Sequence, residues 1–153
     1  MLKSFGLTGR SDNKIDSKGR INIPVQMKKI LAPGVSDEVV ISLSGEGQLS
    51  LFNKAYWVDT IQQNIINQAD NSTNESWKAI QRRIHLLSEN SHLSTVDSQG
   101  RITIPQRLLE KAGLEKDAVI IGAVDRVSVW NPERYEKWIS QEQADTALAG
   151  IHI

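Results

Sequence analysis

A chain of 153 residues with 18 Lys+Arg against 18 Asp+Glu and 39% hydrophobic residues has room for one or two small globular units rather than a large enzyme core. It holds no cysteine, which excludes disulfide scaffolds, thiolate metal sites and cysteine nucleophiles. The longest run free of polar side chains, Ala118 to Val124, falls far short of the roughly 20 residues of a membrane span, so a cytoplasmic protein is expected.

The zero net charge is unevenly spread. Residues 1–29 carry seven basic and two acidic side chains, a balance of +5, and the remainder of the chain carries −5. The basic end is the natural site for a polyanion. The first patterned segment lies there. Asp16-Ser17-Lys18-Gly19, flanked by Ile15 and Ile21, is turn chemistry: the Asp oxygen accepts backbone N–H groups ahead of it, and Gly19 tolerates positive φ. A hairpin tip follows, and beyond it Ile21 and Ile23 alternate with Arg20 and Asn22, a period of two that buries the isoleucines and leaves Arg20 on the opposite face. Pro24 ends the strand and suits the first turn of a short helix. A second hairpin is expected from Val39–Leu43, a Ser44-Gly45-Glu46-Gly47 turn and Leu49–Phe52.

Asn53 then opens a helix carrying Trp57, Ile61 and Ile65 on one stripe. A polar linker is expected over Asn67–Asn74, followed by a helix starting near residues 73–75 with Trp77, Ile80, Ile84 and Leu87 on one face and His85 on its surface.

The next segment repeats the first. Val96-Asp97-Ser98-Gln99-Gly100-Arg101-Ile102-Thr103-Ile104-Pro105 matches Ile15–Pro24 at seven of ten positions, 81 residues later. A helix from Pro105 to Ala112 stops at Gly113, and a hairpin runs from Val119 through a turn near Asp125-Arg126 to Trp130. Asn131-Pro132-Glu133 is an N-cap, an N1 proline and an early acidic residue, predicting a helix into the 140s. The chain therefore divides into a first module over 7–57, a helical connector over 58–90, a second module over 91–134 and a C-terminal helix and tail over 135–153. Neither module has much area to bury alone, so the two should interleave their hairpins about a pseudo-two-fold axis. Apolar helix stripes left uncovered would favour self-association.

Enzyme readings lack support: His85, His92 and His152 have no ligand spacing, Gly45-Glu46-Gly47 lacks the Lys-Ser/Thr of a P-loop, and no Gly-x-Ser-x-Gly elbow occurs. No cofactor or metal is expected. An Arg following the turn in both copies is required by neither turn, and an Arg at a hairpin tip can meet guanine O6 and N7 while nearby lysines contact phosphates. Candidate DNA-binding residues are Lys18, Gly19, Arg20, Arg101, Lys14 and Arg10. Asp16, Asp97 and Gly100 are turn formers, Asp16 also a partner able to hold an Arg.

The two Asp-x-x-Gly-Arg-Ile-x-Ile-Pro segments, Gln81-Arg82-Arg83 to Ser88, Ala112-Gly113-Leu114 and the run from Val127-Ser128-Val129-Trp130 to Tyr135-Glu136-Lys137-Trp138 closely resemble the bacterial MraZ proteins, across nearly the whole chain. That resemblance implies an AbrB-like swapped-hairpin fold, α+β and mainly β, in which two tandem modules form one double-split β-barrel flanked by longer helices. It also implies a nucleoid-associated transcriptional regulator acting on the promoter of the division and cell-wall gene cluster. Short repeated elements of double-stranded DNA would be bound by a ring-shaped homo-oligomer through the Asp-x-x-x-Arg motifs, here Asp16–Arg20 and Asp97–Arg101. The competing reading is an AbrB-like antitoxin or a protein-interaction and assembly module.

Overall fold

The computed structural model describes residues 6–71 and 77–151. Its strands and helices alternate in an order that repeats once. The first half holds β1 (Arg10–Lys14), β2 (Arg20–Asn22), α1 (Val25–Leu31), β3 (Glu38–Leu43) and β4 (Leu49–Asn53). A long helical stretch follows: α2 (Lys54–Tyr56), a π-helical turn over Trp57–Gln62, α3 (Gln63–Asn71) and α4 (Trp77–Glu89). The second half holds β5 (Ser91–Thr95), β6 (Arg101–Thr103), α5 (Gln106–Lys111), β7 (Asp117–Gly122) and β8 (Val127–Trp130), and the chain closes with α6 (Pro132–Ile139) and α7 (Ala144–Ala149).

The fold is mixed α+β, and every strand pairing is antiparallel. Six strands form one sheet in the order β1-β7-β8-β4-β3-β5, and β2 pairs with β6 separately. Reversing the six-strand order exchanges each strand for its counterpart in the other half. The halves also trade strands, since β1 lies against β7 and β5 against β3. Between β2 and β6 the register is Arg20 with Thr103, Ile21 with Ile102 and Asn22 with Arg101, which maps onto itself when the halves are exchanged.

The core sits between this small ribbon and the large sheet. Ile21, Ile23, Ile102 and Ile104 from the ribbon, all 4% exposed or less, meet Leu31, Ile41, Leu51, Ile120 and Val129. At roughly 25 cal/mol per Å² of apolar area removed from water, burial of these branched side chains is the main driving force for joining the halves. Leu7 extends that core from ahead of β1, where its backbone pairs with Val124 on the turn between β7 and β8.

Each β4–helix and β8–helix junction is built alike. Asn53 Oδ1 accepts the Tyr56 N–H at 3.2 Å while its Nδ2 donates to Leu31 O at 3.0 Å. Asn131 Oδ1 accepts the Arg134 N–H at 3.0 Å and its Nδ2 donates to Gly113 O at 2.7 Å. The predicted Asn caps therefore do two jobs, ending a strand and tethering the preceding helix.

Three expectations need correction. Pro24 and Pro105 are the N-cap residues of α1 and α5, one position before the helical turn, because their ψ near 140° is still extended. Residues 67–71 of the expected linker continue α3, since Asn67 to Asn71 contains neither Gly nor Pro to stop a helix already nucleated. Residues 72–76, with the expected start of the next helix, lie outside the described part. The helix from Pro132 ends at Ile139, where Ser140 Oγ bonds back to Lys137 O, and the chain turns before α7. The apolar stripes of the connector are only partly covered: Trp57, Ile61, Ile65, Ile84 and Leu87 are half-buried, Ile80 is buried, and Trp77 is 66% exposed. His85 lies on the surface of α4, its Nδ1 2.7 Å from Gln81 O.

Candidate nucleic-acid interface

Each turn before the ribbon is organised by one carboxylate. Asp16 Oδ1 accepts the N–H groups of Lys18 and Arg20, both at 2.9 Å, the Asp16 carbonyl accepts the Gly19 N–H at 3.0 Å, and Oδ2 accepts Arg20 Nε at 2.6 Å. Asp97 repeats the arrangement with Gln99 and Arg101 at 2.9 Å, Gly100 at 3.0 Å and Arg101 Nε at 2.9 Å. Both carboxyls lie below their ordinary range. The leading cause is the N–H of Arg20 or Arg101, partial desolvation opposes it, and the guanidinium reinforces it. Gly19 and Gly100 sit at φ +78° and +79°, where a Cβ is strained.

The two tips are joined to one another. Gly19 O accepts the Ile104 N–H and Gly100 O accepts the Ile23 N–H, each at 2.9 Å. Their surroundings differ nonetheless. A Cβ on Gly19 would stand 2.7 Å from Ile104 O and 3.3 Å from Leu109 Cδ1, whereas one on Gly100 would meet nothing within 4 Å. The first tip is seated against α5, and the second is open.

Because the isoleucines of β2 and β6 point inward, Arg20 and Arg101 share the outer face of the ribbon. They are less exposed than a free surface Arg, with 30% and 24% of the side chain accessible, since each Nε is engaged by its aspartate. Neither terminal nitrogen of either guanidinium has a hydrogen-bond partner among the described residues. Lys18 is exposed at the first tip.

Lys14 and Arg10 lie on β1, outside the ribbon itself. Lys14 Nζ pairs with Asp117. Arg10 is engaged by Asp12 and Glu136, each at 3.4 Å, with its guanidinium 5.5 Å from the Tyr135 ring centre, and so ties β1 to α6. That ring belongs to an aromatic cluster in which Trp130 stacks on Trp138 at 4.8 Å and meets Tyr135 edge-on at 5.6 Å.

Sequence reasoning missed the clasp at the other end of the sheet. Tyr56 OH donates to Asp125 Oδ2 at 2.8 Å, Arg126 grips both oxygens of the same carboxylate, and its guanidinium lies 4.7 Å from the Phe52 ring centre. Burial of Asp125 raises its pKa, but the hydrogen bonds from Arg126 and Tyr56 outweigh it and hold the group below its ordinary value, while burial followed by the Asp125 contact pushes Tyr56 up. Only the neighbouring Asp125-Arg126 pair was visible in the sequence; its partners come from the other half.

Among the described residues no group of three or more His, Asp or Glu is placed to hold a metal ion. No described helix is long and apolar enough to cross a membrane.

Fold and site together define a protein of duplicated, strand-exchanged hairpins whose paired turn tips each present a carboxylate-held arginine. Residues 87–149 match the family model described as "MraZ protein, putative antitoxin-like". The chain is 31% identical over 141 residues to a protein of Saccharopolyspora erythraea, covering 92% of both, and 30% identical over 159 residues to one of Chlorobaculum tepidum, covering 97% of this chain and 99% of that one. A Spiroplasma kunkelii protein is 33% identical over 137 residues, with 90% of each covered. All three are named transcriptional regulator MraZ. The chain belongs to the MraZ family.

Proposed function

We infer that the chain is a transcriptional regulator that binds double-stranded DNA through the outer face of the β2–β6 ribbon and the tips at its two ends. The observation that carries this is the state of the two arginines. Each is fixed at Nε by the aspartate of its own turn, which leaves Nη1 and Nη2 as a prepositioned fork able to meet guanine O6 and N7. A two-stranded ribbon is also one of the few elements the major groove admits. Lys18 supplies a phosphate contact, Gly19 holds the positive-φ turn that places Lys18 and Arg20, and Arg101 repeats the role of Arg20 from the second tip. Lys14 and Arg10, both engaged within the chain, add positive field along β1 more than direct contacts.

In this reading the ribbon and the large sheet close as one double-split barrel with modules at 7–57 and 91–134. Trp77 and Leu86, 66% and 58% exposed on α4, support self-association, with a ring as its closed form. Neighbouring subunits then engage short direct repeats, one copy raising the effective concentration for the next. The site of action is the nucleoid, in the cytoplasm, at the promoter of the division and cell-wall gene cluster.

Titration of the full chain against duplex DNA over a range of salt tests the proposal. Affinity should fall steeply with salt, by about 0.9 in log slope per phosphate contacted. Arg20→Ala should cost about 1–3 kcal/mol of specific binding with oligomer size unchanged. Affinity indifferent to salt, or wild-type binding by a folded Arg20→Ala variant, would refute it.

A further inference from the structure

The ribbon register puts four side chains on one outer face: Arg20 beside Thr103 and Asn22 beside Arg101. They are not in equivalent states. The arginines are partly covered and each is tied to an aspartate. Asn22 and Thr103 are exposed, and neither side chain makes a hydrogen bond among the described residues. The main chain beneath Asn22 is held, because Asn13 Nδ2 donates to Asn22 O at 2.8 Å. Asn22 thus combines a fixed backbone with an uncommitted carboxamide.

The pseudo-two-fold axis that relates Arg20 to Arg101 relates Asn22 to Thr103. The turn aspartates and glycines, the arginines and the isoleucines are the same in both halves, whereas on this face Asn22 and Thr103 differ, as Lys18 and Gln99 do at the tips. A carboxamide carries a donor and an acceptor side by side and matches adenine N6 and N7. Threonine offers a methyl group suited to the thymine methyl, and one hydroxyl.

We propose that Asn22 and Thr103 are the specificity-determining pair of the ribbon, and that their difference makes the two halves of the recognised element unlike. The proposal rests on the DNA-binding reading above. The arginines give both half-sites the same anchor, and Asn22 and Thr103 read the adjoining base pair differently. An element read in this way has a direction, so tandem subunits on one duplex all face the same way.

The test is recovery of bound duplexes from a random library by the full chain, followed by titration of the enriched element, for wild type, Asn22→Ala and Thr103→Asn. Asn22→Ala should lose about 5- to 150-fold of discrimination at one base pair while keeping the salt dependence and the affinity for random duplex. Thr103→Asn, which puts the same side chain beside both arginines, should enrich an element whose two base pairs adjoining the anchors match. Both positions are exposed, and circular dichroism with light scattering verifies that fold and assembly are kept. If wild type enriches an element and both variants enrich that same element with unchanged discrimination, Asn22 and Thr103 do not read bases, although the DNA-binding reading survives. If wild type enriches no duplex at all, the DNA-binding reading fails and this proposal with it.

Discussion

Replacing each tip glycine by alanine measures how differently the two turns are seated. Gly19 and Gly100 have the same φ within a degree, so the left-handed strain of a Cβ should cost both about 1 kcal/mol. At Gly100 that is the whole effect, because the added methyl enters open space. At Gly19 the methyl would stand 2.7 Å from Ile104 O, a distance real Cβ atoms do not reach, so backbone must shift. The same peptide region carries the Ile104 N–H that donates to Gly19 O, and Leu109 closes the other side. Overpacking of this kind adds about 1–3 kcal/mol, giving roughly 2–4 kcal/mol for Gly19→Ala against about 1 for Gly100→Ala. For a chain of this size each kcal/mol moves Tm by about 2–4 °C. Thermal unfolding followed by far-ultraviolet circular dichroism, at one fixed protein concentration, should therefore show Gly19→Ala falling at least twice as far as Gly100→Ala. Equal shifts, or a larger one at Gly100, would refute the claim that only the first tip is wedged against α5.

The tip carboxylates predict a pH dependence. Asp16 and Asp97 are held below the ordinary value of 3.8, so the stability they confer is complete above that value and is lost as pH falls through their lowered folded-state pKa. Carboxyl NMR titration should place both below the ordinary carboxylate value, and Asn at both positions should flatten this part of the acid-unfolding curve; unshifted carboxyls would count against the turn geometry. Tyr56→Phe removes a donor from Asp125, whose side chain is 19% exposed, and should cost about 1.5–3 kcal/mol. Urea unfolding would read this as a lower midpoint with an unchanged slope, and a loss under about 0.5 kcal/mol would show that the clasp is held by Arg126 alone.

Local chemistry made much of the fold legible. The Asp–Gly turns, the alternation of Ile21 and Ile23, the hairpin over Val39–Phe52, the Asn caps and the stop at Gly113 depend on residues within a few positions of one another, and all occur as read. Duplication added what one copy could not, since it implied that the halves exchange strands. Longer-range features escaped. Nothing near Arg10 in sequence announces Glu136 or Tyr135, and nothing near Tyr56 announces Asp125. Val124 holds φ +68° without being glycine, because its N–H and carbonyl both pair with Leu7, more than a hundred residues away in sequence. The site divided in the same way. Asp16 as the partner of Arg20 followed from the turn, but the partial cover of both arginines and the contrast between a wedged and an open tip depend on α5 and on the other half. Trp77 fits an apolar stripe by spacing, yet it stands 66% exposed, so periodicity located the face without its partner.

The exchange of strands also sets a timetable for synthesis. β1 is made early, but its neighbour is β7, and Arg10 has no Ile121 to pair with until most of the chain exists. At about 5–20 residues per second that interval lasts roughly 5–20 s. During it the β3–β4 hairpin can close locally, while β1 and the free side of β3 wait as unpaired edges. The waiting strand is Arg-Ser-Asp-Asn-Lys, with a charge at every second position, which is the composition that discourages edge-to-edge association. The charges on β1 therefore serve the nascent chain before they serve the folded one, keeping a strand single until its only correct neighbour is made.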